Sequence, residues 1–150
     1  MELTIGVDVG GTKIAAAVVD PTGHVVDSIR NPTPVESAGA VEDQIVAAVT
    51  ELAGRNDVVA AGVAVPGFVD EKRSTLRFTP NLPIRDRPLR DLLMQRLRLP
   101  VVIENDANAA TWAESRFGGG RGAADMALIT IGTGLGGGIV FNHTLMRGSF

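Results

Sequence analysis

Three observations on the 150-residue sequence predict an α/β fold. The first 30 residues read as a three-stranded antiparallel meander. Strands and helices then alternate, which gives the order βββαβαβα. A glycine-rich break follows at Gly118-Gly119-Gly120-Arg121-Gly122, and beyond it two more strands, 125–131 and 138–141, are joined by residues 132–137. Strands that alternate with helices after a meander make a sheet covered on both faces. The last pair of strands reads as the first β-hairpin of a second unit. The expected organisation is an α/β domain over 1–118, a connector over 119–124, and the start of a second, incomplete α/β domain over 125–150.

Each element has a local reason. Leu3, Ile5, Val7 and Val9 alternate with Thr4, Gly6 and Asp8, the period of a half-buried strand. Gly10-Gly11 predicts a two-residue hairpin into an apolar run over 14–19. Asp20-Pro21-Thr22-Gly23 is a turn, residues 25–29 form the third strand, and 31–34 are a proline-rich connector. Val41, Ile45, Ala48, Val49 and Leu52 recur at helical spacing until Gly54 stops them. Residues 58–65 are continuously apolar, as a buried parallel strand requires, and Pro66-Gly67 ends that strand. Residues 68–87 read as irregular, with Asp70-Glu71-Lys72-Arg73 as a solvated turn. Pro88 suits a first helical turn, Leu89, Leu92, Leu93 and Leu97 give one face, and Pro100 ends the helix. A short strand over 101–103 leads into a helix from about 105 to 117, with Gly118 as its C-cap. Trp112 on that helix reads as a core residue, and His24 and His143 as surface residues.

Composition excludes several classes. The hydrophobic fraction of 45% with 21% charged residues is that of a globular chain. No apolar run approaches the roughly 20 residues of a membrane helix. Met1 leads into a strand without a basic segment, so no secretory signal is expected and the cytoplasm is the expected compartment. The absence of cysteine excludes disulfides, a thiol nucleophile and a cysteine-based zinc site within these residues. A net charge of −3 offers no basic footprint for nucleic acid. About half of the 18 glycines fall between Gly118 and Gly138.

Two glycine-rich turns carry candidate chemistry. In Asp8-Val9-Gly10-Gly11-Thr12-Lys13, a turn without Cβ atoms lets backbone N–H groups approach an anion. Thr12 adds a hydroxyl and Lys13 a positive charge. Asp8 faces away from the apolar set, and a carboxylate beside a phosphate-binding turn suggests a divalent cation. A plain tight hairpin with a solvated Asp8 explains the same residues. The Walker pattern does not fit, because it needs Gly-Lys-Thr where this chain has Gly11-Thr12-Lys13. In the second segment, Gly132, Gly134 and Gly137 satisfy G-x-G-x-x-G formally. A dinucleotide fold needs a helix next, whereas Ile139-Val140-Phe141 is a strand. Gly132-Thr133-Gly134 reads instead as a second phosphate clamp opposite the first.

A carboxylate stands where a strand meets a helix, in Glu104-Asn105-Asp106-Ala107-Asn108. Ligands of open α/β sheets bind at the carboxyl ends of strands. The helix dipole favours an ionised Asp106 in the first turn, so Asp106 is a candidate general base beside Asn105. Asn and Asp are also ordinary residues for a helix N-terminus. Asn81, on the stiff loop Pro80-Asn81-Leu82-Pro83, is a candidate polar contact.

Taken together and in order, Asp8-Val9-Gly10-Gly11-Thr12-Lys13, Val65-Pro66-Gly67, Thr79-Pro80-Asn81-Leu82, Glu104-Asn105-Asp106-Ala107-Asn108-Ala109 and Ile131-Gly132-Thr133-Gly134-Leu135-Gly136-Gly137-Gly138 closely resemble the ROK family of repressors, open reading frames and kinases, which includes bacterial glucokinases. The resemblance implies the actin-like (ribonuclease-H-like) ATPase fold, with two α/β domains around a cleft. It implies an ATP-dependent kinase that transfers the γ-phosphoryl group to a hexose hydroxyl, most simply glucose to glucose 6-phosphate. Asp106 would be the catalytic base, and Gly67, Asn81, Asn105 and Asp106 would hold the sugar. Gly10, Gly11, Thr12 and Lys13 would form one phosphate loop and Gly132, Thr133 and Gly134 the other. Asp8 would hold Mg²⁺ directly or through water.

The chain departs from the family pattern in three ways. Ile84-Arg85-Asp86-Arg87 stands where relatives often carry a Trp. The family's structural zinc site and a further sugar-binding segment are absent from these 150 residues, so a truncated chain with little activity of its own is expected. No reader helix precedes the first strand, which favours the kinase branch over the regulator. A hexose and a nucleotide are the expected partners, with a homodimer in the full-length protein. A non-catalytic sugar-binding or transcription-regulating ROK-type protein is the alternative.

Overall fold

The structure is a computed structural model that describes residues 2–132 and 134–148. Its centre is a five-stranded sheet in the order β3-β2-β1-β4-β8. The strands are β1 (Leu3–Val9), β2 (Lys13–Val19), β3 (Val25–Pro32), β4 (Val58–Val65) and β8 (Val101–Asn105). β1, β2 and β3 are antiparallel, while β4 and β8 run parallel to β1. Parallel neighbours need a crossover, and α1 (Ala38–Ala53) provides the one between the meander and β4.

The period of two decides which face is buried. Ile5, Val7, Val9, Ile14, Ala16, Val18, Ala61, Val63, Val65, Val101 and Ile103 form one continuous core with Val41, Ile45, Val49 and Leu52 of α1. Ser37 caps α1 by accepting from the Ala40 amide at 3.1 Å, and Gly54 closes it with an amide bond to Thr50 O at 2.9 Å. Leu89 and Leu93 of α2 (Leu89–Leu97) are fully buried in the same core. The expectation of a sheet covered on both faces is corrected here. Thr4, Gly6 and Asp8 on the other face are exposed, and Val102 is 50% exposed. Among the described residues, that face carries only α3 (Asp106–Phe117), near β4 and β8. Small residues there, Gly6, Ala15, Ala17, Gly62 and Ala64, leave a shallow apolar hollow of about 630 Å³.

The segment expected to be irregular is a second, small sheet. β5 (Phe68–Val69), β6 (Leu76–Phe78) and β7 (Arg85–Arg87) pair antiparallel in that order. Strands of two or three residues are too short to show a period. Asp70 closes the β5–β6 turn, its Oδ1 accepting from the amides of Ser74 at 2.7 Å and Thr75 at 2.9 Å. Buried Leu76, Leu82 and Ile84 anchor this sheet to the core. Arg87 on β7 reaches Glu42 of α1, with Nε donating to Oε1 at 2.6 Å and an η-nitrogen donating to Oε2 at 3.2 Å.

Beyond the turns at Gly118-Gly119-Gly120-Arg121-Gly122 stands a third sheet of three strands rather than a bare hairpin: β9 (Met126–Ile131), β10 (Leu135–Phe141) and β11 (Thr144–Met146). Asn142 and His143, both at positive φ, make the tight β10–β11 turn that the twist of a hairpin favours. The boundaries of β10 correct a second expectation. Leu135, Gly136 and Gly137 are not loop but strand, opposite Ile131, Thr130 and Ile129, and Gly138 is strand as expected. A Cβ on Gly138 would collide with the Thr111 side chain of α3, and one on Gly136 would stand 3.1 Å from Ala107 Cβ. These glycines therefore let α3 lie directly on β10. Trp112, expected in the core, is 40% exposed, with the Arg116 guanidinium 5.4 Å from its ring centroid. His24 and His143 are exposed, as expected.

Candidate active site

One cleft of about 820 Å³ opens where the carboxyl ends of β1, β4 and β8 face the β9–β10 hairpin. It brings together Asp8, Gly10, Gly11, Thr12, Gly67, Asn81, Asn105, Asp106, Gly132 and Gly134. Lys13 begins β2 as an exposed residue outside the cleft lining, yet its charge is felt at Asp8. Thr133 lies outside the described residues.

The first glycine turn differs from the two-residue hairpin expected. Residues 10–12 separate the strands, neither glycine has a positive φ, and Gly10 N donates to Lys13 O at 2.9 Å. What requires glycine at position 10 is proximity, because a Cβ there would stand 2.9 Å from that same carbonyl. Buried Thr33, in the connector after β3, fixes the turn. Its hydroxyl donates to Gly10 O at 2.7 Å, and its amide donates to Thr12 O at 3.0 Å. Two of the turn's three carbonyls thus point at Thr33, outside the cleft. Across the opening, a Cβ on Gly11 would rest 3.6 Å from Asn81 Cβ.

Glu104, Asn105, Asn108 and Gly67 form one hydrogen-bonded unit. Asn105 caps α3, its Oδ1 accepting from the Asn108 amide at 3.0 Å. Its Nδ2 donates to Gly67 O at 2.9 Å. Gly67 is a glycine of necessity: its φ is +115°, and a Cβ would collide with the Phe78 carbonyl. The small sheet therefore presents both Gly67, before β5, and Asn81, after β6, to the cleft. Glu104 accepts from the Asn105 amide at 3.0 Å and from Asn108 Nδ2 at 3.3 Å.

Asp106 is the first residue of α3, and its Oδ1 accepts from the Ala107 amide at 2.8 Å. Its carboxylate stands at the positive end of the helix dipole. Burial pushes the Asp8 carboxyl above the ordinary carboxylate range, the negative charge of Asp106 pushes it further, and Lys13 pulls it back. Two carboxylates close enough to repel across the cleft suit a hard cation. Among the described residues no group of three or more metal-ligating side chains occurs. A Mg²⁺ held by one or two carboxylates, with water and phosphate oxygens completing its shell, fits that donor set.

Thr33, Glu104 and the Gly136–Gly138 contact with α3 were not expected as parts of the site. Thr33 sits between Pro32 and Pro34 with no local signature. Gly136 and Gly138 were visible as glycines, but their partners lie on a helix more than 20 residues earlier.

The mixed sheet, the two opposed glycine turns and the acid at a strand–helix junction define the actin-like ATPase class, in agreement with the solved structures that match. A profile of the ROK family matches residues 4–150, and the chain belongs to that family. It is 49% identical over 150 residues to the glucokinase of Streptomyces coelicolor, covering 100% of this chain and 47% of that protein. It superposes with a TM-score of 0.94 and 52% identity on a ROK family glucokinase from Streptomyces griseus in complex with glucose and AMPPNP, covering 99% of this chain and 47% of that one. An inorganic polyphosphate/ATP-glucomannokinase from Arthrobacter sp. strain KM matches with a TM-score of 0.88 and 31% identity, over 99% of this chain and 62% of that one. The chain spans about half the length of the curated relatives it matches.

Proposed function

We propose that this chain carries the phosphate turns and the base of an ATP-dependent hexose kinase that converts glucose to glucose 6-phosphate. The observation that carries the reading is the convergence of Asp106, Asn81, Gly67 and both glycine turns on one cleft. Its support from the relatives is the glucose and AMPPNP bound by the Streptomyces griseus enzyme. Asp106 takes the proton of the attacking sugar hydroxyl, while Asn81, Asn105 and the Gly67 loop orient that hydroxyl. Gly10, Gly11, Thr12 and Lys13 hold one part of the phosphate chain, and Gly132, Thr133 and Gly134 hold the other. Phosphoryl transfer is largely positioning and neutralisation of charge, and a glycine turn whose carbonyls are drawn to Thr33 is suited to that.

Asp8 is the residue that would hold Mg²⁺, directly or through water. The ion, when bound, neutralises charge developing on the phosphate oxygens. The reading includes two domains, 1–118 and 125–150, joined by 119–124, with the cleft between them. It also includes a cytoplasmic protein, dimeric at full length. The relative named for polyphosphate and ATP makes the donor a question for the same assay.

The test is a coupled assay for glucose 6-phosphate on the full-length gene product, with ATP and with polyphosphate as donors, beside calorimetric binding of glucose and AMPPNP. Asp106→Asn is expected to lower kcat by about a thousandfold or more, with glucose still bound. Full turnover in Asp106→Asn, or no binding of either ligand at millimolar concentration, would overturn the reading.

A further inference from the structure

Glu104 has a second partner that the site as described does not use. Its Oε2 accepts from Arg147 Nε at 2.6 Å, 43 residues later in the chain. Glu104 is the penultimate residue of β8, the edge strand of the first sheet, and Arg147 directly follows β11 of the third. The side chain of Glu104 is 14% exposed and that of Arg147 is 39%. The carboxylate is therefore divided in its work. One oxygen faces Arg147, while the other accepts from the Asn105 amide and the Asn108 side chain. The Asn108 amide in turn donates to Asn105 Oδ1, and Asn105 Nδ2 donates to Gly67 O.

We propose that Glu104 and Arg147 are positioning residues for the sugar side of the cleft: an ion pair that ties the third sheet to the β8–α3 junction and thereby holds Asn105 and Gly67 in register. The proposal rests on the sugar role of Asn105 and Gly67 given above. An exposed ion pair contributes little by itself. This one differs because a short charge-assisted bond at one oxygen sets the rotamer that aims the other oxygen at the junction. With Arg147 removed, the partly buried carboxylate loses its counter-charge and turns towards water, and Asn105 and Asn108 lose their acceptor. The chain of contacts leads to Gly67 and Asn105 and does not touch residues 10–12. Loss of the pair therefore weakens sugar binding and leaves nucleotide binding as it was, a division that a merely structural role would not produce.

The experiment uses Arg147→Met, Arg147→Lys and Glu104→Gln in the full-length gene product, with calorimetric binding of glucose and of AMPPNP and hydrogen exchange at individual amides. Arg147→Met is expected to weaken glucose by about tenfold, to change AMPPNP by less than about twofold, and to expose the Asn105 and Asn108 amides to about tenfold faster exchange. Arg147→Lys, which keeps the charge, is expected to recover most of the glucose affinity, and Glu104→Gln to fall between. Parallel weakening of both ligands, or unchanged glucose affinity, would overturn the proposal. If the parent protein binds no glucose, the function proposed above falls, and exchange decides the clamp alone. Faster exchange confined to the β8–α3 junction and Gly67 supports it, and unchanged protection there refutes it.

Discussion

Glu42 stands on the inward face of α1, its side chain only 6% exposed, and its two oxygens take both arms of the Arg87 guanidinium at 2.6 and 3.2 Å. The hydrogen bonds to Glu42 and its charge hold the Arg87 guanidinium above its ordinary pKa. Arg87→Met removes the counter-charge and leaves a carboxylate inside the fold. Breaking a buried pair in this way costs about 3–5 kcal/mol. The Arg87 side chain is 42% exposed, so water reaches one side of the pair and screens it. The expected destabilisation is therefore about 2–3 kcal/mol. For a chain of this size that corresponds to a fall of roughly 4–12 °C in Tm. The assay is urea denaturation followed by circular dichroism, where the midpoint should drop with the slope unchanged. Glu42→Met together with Arg87→Met should recover most of the loss, because no buried charge remains. A cost below about 0.5 kcal/mol for Arg87→Met would refute the reasoning and make the pair an ordinary surface contact. So would a double variant as unstable as the single one. The pair matters beyond stability because β7 belongs to the small sheet that carries Gly67 and Asn81.

Four further outcomes are expected. Gly138→Ala drives a Cβ into Thr111, so it should lower stability by about 1–3 kcal/mol as overpacking does, with partial recovery in Gly138→Ala/Thr111→Ala; an unchanged denaturation midpoint would contradict the close α3–β10 contact. Thr33→Val removes the hydroxyl bond to Gly10 O and should weaken AMPPNP by roughly five- to tenfold, about 1–1.4 kcal/mol, with glucose affinity unaffected in calorimetry. Asp8→Asn should abolish turnover yet raise Tm by about 1–2 °C, because the raised carboxyl imposes a penalty that is absent below its unfolded pKa and complete once pH exceeds its folded one; the gain is small because the group still reaches solvent. At Asp70, burial raises the carboxyl, but the amides of Thr75 and Ser74 and the Ser74 hydroxyl outweigh it and hold its pKa down. Its stabilisation is therefore present above the unfolded value near 3.9 and is lost as pH falls through the lower folded value, so an acid titration of Asp70→Asn against the parent should show the two stability curves converging only at low pH.

How much was legible in the sequence depended on how local each cause was. The alternation of Leu3, Ile5, Val7 and Val9 put Asp8 on the opposite face because a strand's period is two, and Asp8 is there. Gly54 ends α1 through a contact within a few residues. The β5–β6–β7 sheet was not legible, because strands this short have no period and Asp70, not a glycine, makes the turn. Thr33 gave no signal, since its partners lie 21 and 23 residues earlier. The Glu42–Arg87 pair spans 45 residues, and both side chains read as ordinary helix and turn residues. The second face of the sheet read as covered because a period of two shows which side is apolar on β1 and β2, not what packs on the other side.

The glycines show why a composition needs a structure to be understood. An excess of glycine between residues 118 and 138 invites the idea of a hinge. Gly136 and Gly138 do the opposite. They lie in β10, and the absence of their Cβ atoms lets the strand touch Ala107 and Thr111 of α3. That helix begins at Asp106, so the separation between the carboxylate and the Gly132-Gly134 turn is set by direct packing of α3 on β10. The turn itself begins one residue after β9 ends and is closed by Gly132 N donating to Gly134 O at 3.0 Å. The direct packing of α3 on β10 therefore ties Asp106 to the Gly132-Gly134 turn. The turn at residues 10–12 and Asp8 belong to the five-stranded sheet instead. In the function proposed above, the first phosphate loop is thus held by Thr33 and the second by the packing of α3 on β10.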